Sequence, residues 1–340
     1  MDEIIGRDCL EHISDVDLSP MAGKTVLVTG ANGLIGTYII CFLHLSNLCA
    51  NLNINIVAVS RHMPSGKFGD IFDVLYKFYP LDLTSEGTGD LPKADYIIHC
   101  GTCAPGGNFS DTVRLNVFAT ENFLQKAKKD GAKFLFVSSS EVYGDMIPEN
   151  IPITEACPCL CSTQGAGAAF AESKRLGETA CRACPGYETA EVKIARVFPV
   201  YGPGLTVFDK NIMGRFIGEA LFRRKINVSV SWGGLHTFCY AADCIVMLLY
   251  VLIYGKNGVY NIGGREAVSA KHLAEEISFL TGSPLSVKNE EGKADSPAWL
   301  CRGGIKPDIT KITSESGFKY FTSLCAGLQR TIVWNIRQFL

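Results

Sequence analysis

Charge of one sign is what this chain lacks most plainly. Its 340 residues carry 34 acidic and 32 basic side chains, a formal net charge of −2. That balance gives no electrostatic footing for nucleic acid or for an anionic membrane surface. Long apolar runs are missing as well. The longest, Cys244 to Tyr254, is too short to span a bilayer and reads as a buried helix. The N-terminus, MDEIIGRDCLEHI, is acidic and has no signal-peptide apolar core. No internal repeat is visible. A soluble, cytoplasmic globular protein is expected, and 340 residues suggest two lobes or one large α/β domain.

Cysteine is plentiful, at 14 residues, but metal-ligand patterning is not. Cys157, Cys159 and Cys161 alternate, and Cys100/Cys103 and Cys181/Cys184 have CxxC spacing. No matching knuckle or histidine pair follows either CxxC, so no metal is expected. The thiols read as reduced small hydrophobes.

What is present is a β–turn–α opening. Lys24 to Thr29 is an apolar β-branched run, followed by a glycine-rich turn and then apolar residues at helical spacing. Further strands are expected at Ile54–Ser60, Tyr79–Thr84, Ala94–Cys100 and Lys133–Ser140, with helical patterns between several of them. Continuous apolar strands alternating with amphipathic helices predict a Rossmann-type, doubly wound parallel sheet. From Pro199 the pattern loosens into Gly/Pro-rich loops and short helices, which predicts a smaller C-terminal substrate-binding lobe. The expected division is an extension over 1–22, a dinucleotide-binding domain over 23–198 and 238–265, and a substrate lobe over 199–237 and 266–340. Lys288 to Trp299 reads as a mobile polar loop.

The turn TGANGLIG places Gly30, Gly33 and Gly36 where a dinucleotide fold needs them. The first permits the tight turn, the second lets backbone N–H groups approach a pyrophosphate, and the third packs helix on strand. Asn32, Leu34 and Ile35 complete that cradle. The second strand ends in Ser60 and Arg61 where an NAD enzyme usually has an acidic residue. With no carboxylate nearby, Arg61 is suited to a 2′-phosphate; equally it reads as a loop charge stacked on adenine. The cofactor is therefore expected to be NAD or NADP. Asp82 is placed to accept from the adenine amine.

The stretches TGANGLIG, LDL, IIHCGTCAP, LNVFATENFL, FVSSSEVYG, ESKRLGET and RVFPVYGPG occur in the order seen in extended short-chain dehydrogenases/reductases that modify nucleotide sugars. The likeness runs from Gly23 to about Lys311. It looks closest to the UDP-glucuronate decarboxylase and sugar 4,6-dehydratase branch, because SSSEVYG carries a glutamate. The resemblance implies a nucleotide-diphosphate sugar as substrate and a homodimer paired through helices at Asp111–Ala127 and Gly165–Ala183. It assigns Leu83, Cys100, Gly101, Thr102, Asn116, Ser138 and Lys174 to the cofactor. It assigns Cys103, Ser139, Ser140, Glu141, Pro199, Arg215, His236 and Arg302 to the substrate. In the family a tyrosinate takes the proton of the sugar's C4 hydroxyl while hydride leaves C4. The lysine one helical turn on lowers that tyrosine's pKa. Ser139 would hold the C4 oxygen, and Glu141 would move protons in the step that follows. A 4-epimerase or 4-ketoreductase is the alternative chemistry.

This chain departs from the pattern at the tyrosine. FAESK puts Phe170, not tyrosine, one turn before Lys174. Three expectations stand side by side: an enzyme engineered to trap its sugar, a natural variant with another base, or a non-catalytic nucleotide-sugar-binding homologue. Pro199 and His236 also replace residues that the family uses on the substrate's nucleotide and phosphate.

Overall fold

The computed structural model describes residues 2–63, 77–84, 87–103, 105–144, 151–161, 163–164, 167–184, 191–207, 211–229, 234–288 and 305–339. The chain opens with α1 (Glu3–Glu11), capped by Asp2, whose carboxylate accepts from the N–H groups of Ile4 and Ile5. There follow β1 (Thr25–Thr29), α2 (Leu34–Ala50), β2 (Asn55–Ser60), β3 (Lys77–Pro80) and β4 (Tyr96–His99). Next, α3 (Phe109–Val113) and α4 (Ala119–Asp130) are joined by a π-helical turn over Arg114–Phe118. Then come β5 (Lys133–Ser139), α5 (Ala168–Ala183) and β6 (Val192–Val197).

The rest is built from shorter pieces: β7 (Val200–Tyr201), α6 (Ile212–Gly218), β8 (Ile226–Ser229), β9 (Leu235–Thr237) and β10 (Cys239–Tyr240). After α7 (Ala241–Tyr254) come β11 (Gly258–Ile262), β12 (Ala267–Ser269), α8 (Ala270–Thr281), β13 (Leu285–Lys288), α9 (Thr310–Ser316) and α10 (Leu324–Phe339).

Seven strands form one parallel sheet in the order β11-β6-β5-β4-β1-β2-β3. Such runs bury both faces because helices cover both. Leu135 and Val137 of β5 join the core under α2 and α7, while Phe134 and Phe136 join the core under α4 and α5. The run from Cys244 to Tyr254 is the expected buried helix, α7, with only its last turn reaching the surface. Chain order reverses between β1 and β4, the crevice where ligands of such sheets sit. Thr29 and His99 are register partners there.

One expectation is corrected. The third strand starts earlier than expected and ends at Pro80, because the Asp82 carboxylate takes the N–H and hydroxyl of Thr84 and turns the chain. The N-terminal extension is stitched into the fold. Asp8 of α1, 0% exposed, accepts from the hydroxyls of Tyr38 on α2 and Tyr240 on β10, and from Arg330 on α10 at 2.8 Å. The mobile loop expected from Lys288 to Trp299 lies, beyond Lys288, outside the described residues.

Candidate active site

The crevice floor is set by glycine. Gly30 has φ +64, and a Cβ on it would stand 2.8 Å from the Gly101 nitrogen, so the loops after β1 and β4 touch backbone to backbone. Gly33 is the N-cap of the 17-residue helix α2, is exposed, and offers no side chain to the first turn. The first-turn N–H groups of Leu34, Ile35 and Gly36 therefore receive no side-chain cap, and a Cβ at position 33 would meet only the Gly30 oxygen, at 3.3 Å. That is the chemistry an anionic pyrophosphate requires. At the edge of the turn Asn32 donates to the His62 carbonyl at 2.6 Å, while its own Oδ1 is buried and has no hydrogen-bond partner among the described residues.

Ser60 is half-buried at the end of β2, and Arg61 beside it is exposed. Asp82 is exposed too, and its carboxyl lies below the usual range because Thr84 bonds it and the charges of Arg61 and His62 reach it.

On the other side of the turn, Thr29 Oγ1 accepts the Gly101 N–H at 3.0 Å and lies 2.8 Å from His99 Nδ1. His99 is 0% exposed and stacked among Phe123, Phe134 and Phe136. Burial drops its pKa to about 3, so it stays neutral at ordinary pH. Leu83 is buried, Cys100 is half-buried with its thiol pushed up to about 12 by burial, and Thr102 is exposed.

The π-helical turn carries Asn116, which is fully buried. Its Oδ1 accepts from Thr102 Oγ1 at 2.8 Å and from the Cys103 N–H at 3.1 Å, and its amide donates to Ser173 Oγ at 2.9 Å. Asn116, expected at the cofactor, braces the loop after β4 against α5.

Helix α5 presents Phe170 and Lys174 one turn apart, both buried. The Lys174 ammonium donates to the Val137 carbonyl at 2.9 Å and sits 4.9 Å from the Phe136 ring centre. Burial lowers its pKa to about 8. At the end of β5, Ser139 Oγ accepts the Glu141 N–H at 3.2 Å and caps the short helical turn Ser140–Tyr143. Ser139 and Glu141 are half-buried, and Ser140 is buried. Ser138, expected at the cofactor, is buried. Its hydroxyl is committed to Glu178 at 2.7 Å and is turned into the protein.

On the substrate side, Pro199 is exposed and Cys103 half-buried. Arg215 on α6 donates to Glu219 at 3.1 Å. His236 is half-buried on β9, opposite Val268 of β12. Arg302 lies outside the described residues. Sequence reasoning missed Thr29, His99, Ser173, Glu178 and Arg196. Glu178 had a usable signal, a carboxylate one helical turn beyond Lys174. Among the described residues no group of side chains is arranged to hold a metal ion, and every cysteine is a free thiol.

The chain resembles known proteins along most of its length. UDP-glucuronic acid decarboxylase 6 of Arabidopsis thaliana is 28% identical over 89% of this chain and 86% of its own. UDP-glucuronic acid decarboxylase 1 of Xenopus tropicalis is 31% identical over 71% of this chain and 56% of its own. Among solved structures, MoeE5 in complex with UDP-glucuronic acid and NAD superposes with a TM-score of 0.73 at 25% identity, over 92% of this chain and 99% of that one. Residues 26–263, which hold the glycine turn, the β5 end and α5, match the family described as the NAD dependent epimerase/dehydratase family, and the chain belongs to it.

Proposed function

We propose that this chain is a nucleotide-sugar enzyme that works at sugar C4 with bound NAD or NADP and then decarboxylates or dehydrates the sugar. What supports this is the glycine turn between β1 and α2, with Ser139 at the end of β5, Glu141 in the turn after it and Lys174 on α5 donating to the Val137 carbonyl of the same strand. Gly30, Gly33, Gly36 and the first N–H groups of α2 would hold the dinucleotide, which supplies a hydride acceptor and donor when bound. Lys174 would orient the nicotinamide ribose, and Ser139 the C4 oxygen. A carbonyl at C4 acidifies C5 or lets a C5 carboxylate leave as CO2, and Glu141 is the group within the motif suited to carry the proton. A UDP-sugar fits what the relatives' names and the MoeE5 complex report. In this division 23–198 with 238–265 hold the cofactor, and 199–237 with 266–340 hold the sugar nucleotide.

Position 170 lacks the acid. Phe170 keeps the packing of a tyrosine and loses one oxygen, and a missing general base costs ~10²–10⁴ in rate. Two further readings stand beside this one: a 4-epimerase or 4-ketoreductase, which has no use for Glu141, and a non-catalytic binder, which has no use for a base at position 170. Phe170→Tyr tests all three against a panel of UDP-, dTDP-, CDP- and GDP-sugars. The restored chain is expected to gain ~10²–10⁴ in cofactor reduction by the right sugar. Adding Glu141→Gln is expected to spare that reduction and stall the following step. No gain while sugars still bind would make the chain a binding protein. Normal turnover in the unmodified chain would transfer the base to Glu141.

A homodimer belongs to the same proposal. Phe109, Phe118 and Leu176 are 72, 55 and 52% exposed on α3, the π-helical turn and α5. Phe109 and Leu176 also line a cleft of about 500 Å³. Apolar surface of this kind on neighbouring helices marks an interface. Light scattering is expected to give twice the chain mass, and Leu176→Glu to halve it. A single-chain mass for the parent would remove the dimer.

A further inference from the structure

Helix α5 carries a buried ion pair for which the chemistry above has no use. Glu178, 6% exposed, lies one turn beyond Lys174. Its Oε1 accepts from Ser138 Oγ at 2.7 Å and from Arg196 Nε at 3.0 Å, and its Oε2 accepts from Arg196 Nη2 at 2.7 Å. Arg196, on β6, also donates to the Glu155 carbonyl at 3.3 Å and stands 4.7 Å from the Tyr143 ring centre. Tyr143 in turn donates to Asn261 Oδ1 at 2.6 Å. The carboxylate thus ties α5 to the last residues of β5 and, through Arg196, to the turn that bears Glu141.

We propose that Glu178 is a positioning residue: clamped by Arg196, it fixes the end of β5 and supplies the fixed negative charge that keeps Lys174 an ammonium. This rests on the role given to Lys174 above.

The surroundings of the ammonium single out that charge. The titratable groups whose fields reach Lys174 are His99 and Cys100 at the end of β4, and Glu178 and Cys181 on α5 itself. His99 is neutral, and burial pushes the Cys100 thiol up to about 12 and the Cys181 thiol well above its usual value. Both thiols therefore carry a proton at neutral pH. Phe136 presents a ring and Val137 a carbonyl. With phenylalanine at position 170 no phenolate is available as counter-charge. Glu178 is what remains among these groups, and Arg196 holds both of its oxygens in a bidentate ion pair. Because burial already brings Lys174 to about 8, its charge at neutral pH is held by a small margin.

The test is a titration of the cofactor-free protein labelled with ¹³C at lysine Cε. The Lys174 signal is assigned by its loss in Lys174→Arg. The parent midpoint is expected near 8. Glu178→Gln should move it down by about one pH unit or more, since it removes the anion and leaves Arg196 unbalanced. Burying an unpaired Arg196 could prevent that variant from folding, so Glu178→Leu/Arg196→Met removes both charges at similar volume. Its midpoint should fall as well, by less. A folded variant of either kind with an unmoved midpoint overturns the proposal, because a purely structural brace would not hold the titration in place. Isothermal titration of the parent with NAD separates the two failures. A shifted midpoint with no NAD binding supports the charge placement and removes the proposed function instead.

Discussion

A Cβ at Gly33 and a Cβ at Gly36 should do different things, and the difference separates cofactor binding from folding. At Gly36 the new atom would stand 2.4 Å from the Gly30 carbonyl oxygen and 2.9 Å from Ala31 Cα. Both are backbone atoms with no rotamer to give way, and the closer one is about 1 Å inside ordinary contact distance. Relief means sliding α2 off the turn, which costs about 1–3 kcal/mol as overpacking does in cores. At Gly33, φ is −79 and open to any residue, and a Cβ meets only the Gly30 oxygen at 3.3 Å. Gly33→Val should therefore leave unfolding within about 0.5 kcal/mol of the parent. Its methyl groups would occupy the cradle in front of the Leu34, Ile35 and Gly36 N–H groups. Losing two hydrogen bonds to a charged phosphate, at about 1.5 kcal/mol each, weakens NAD at least ~100-fold. Gly36→Ala should lose stability and affinity together. Thermal melts and calorimetric titration with NAD read both quantities. Parent-like NAD affinity in Gly33→Val would falsify the turn as the cofactor's seat, and a parent-like melting temperature in Gly36→Ala would contradict the helix packing.

Three further outcomes are expected. Asp8→Ala leaves two buried phenols without their acceptor and takes one partner from Arg330, so urea unfolding should show a loss of about 3 kcal/mol; a loss near zero would mean that α1 is only appended. His99 has a folded pKa of about 3 against an ordinary 6.5, so between those values the unfolded chain binds the extra proton. The stability it contributes is present above pH 6.5 and drains away as pH falls toward 3, by up to about 5 kcal/mol, and acid titration of His99→Gln should show a flatter slope across that window. Arg61→Ala should weaken NADP much more than NAD in calorimetric titration; equal losses would return NAD as the partner, with Arg61 a neighbour of Asp82 rather than a phosphate receptor.

The glycine turn was legible because everything it needs is contiguous: a strand, three glycines and a helix. The sheet was legible because each strand is a short apolar run between helical patterns. Strand order was not. Arg196 is eighteen residues from Glu178, and Ser138 is forty. They meet because β5 and β6 are neighbours under α5. Asp8 and Arg330 are further apart still, at opposite ends of the chain. The π-helical turn left no mark in the spacing of the residues around Asn116. What admits it lies on another helix: at Gly177 of α5 a Cβ would sit 2.9 Å from the Asn116 carbonyl, so only glycine lets the two helices come this close.

Ser138 is different, because the face it takes was available from parity alone. Successive residues of a strand point to opposite faces. The run KFLFVSSS sends Phe134 and Phe136 toward α4 and α5, and Leu135 and Val137 toward α2 and α7. By the same alternation Ser138 continues the phenylalanine face, where it meets Glu178, and Ser139 continues the other. Three consecutive serines at the end of β5 therefore cannot share one ligand. The middle one caps the turn that carries Glu141, and the first is held inside the protein. Ser138→Ala should then act through the Glu178 clamp. It should lower the Lys174 midpoint less than Glu178→Gln does, since the charge stays and one bond to it goes. A fall as large as that of Glu178→Gln would mean that the hydroxyl, rather than the arginine, holds the carboxylate in place.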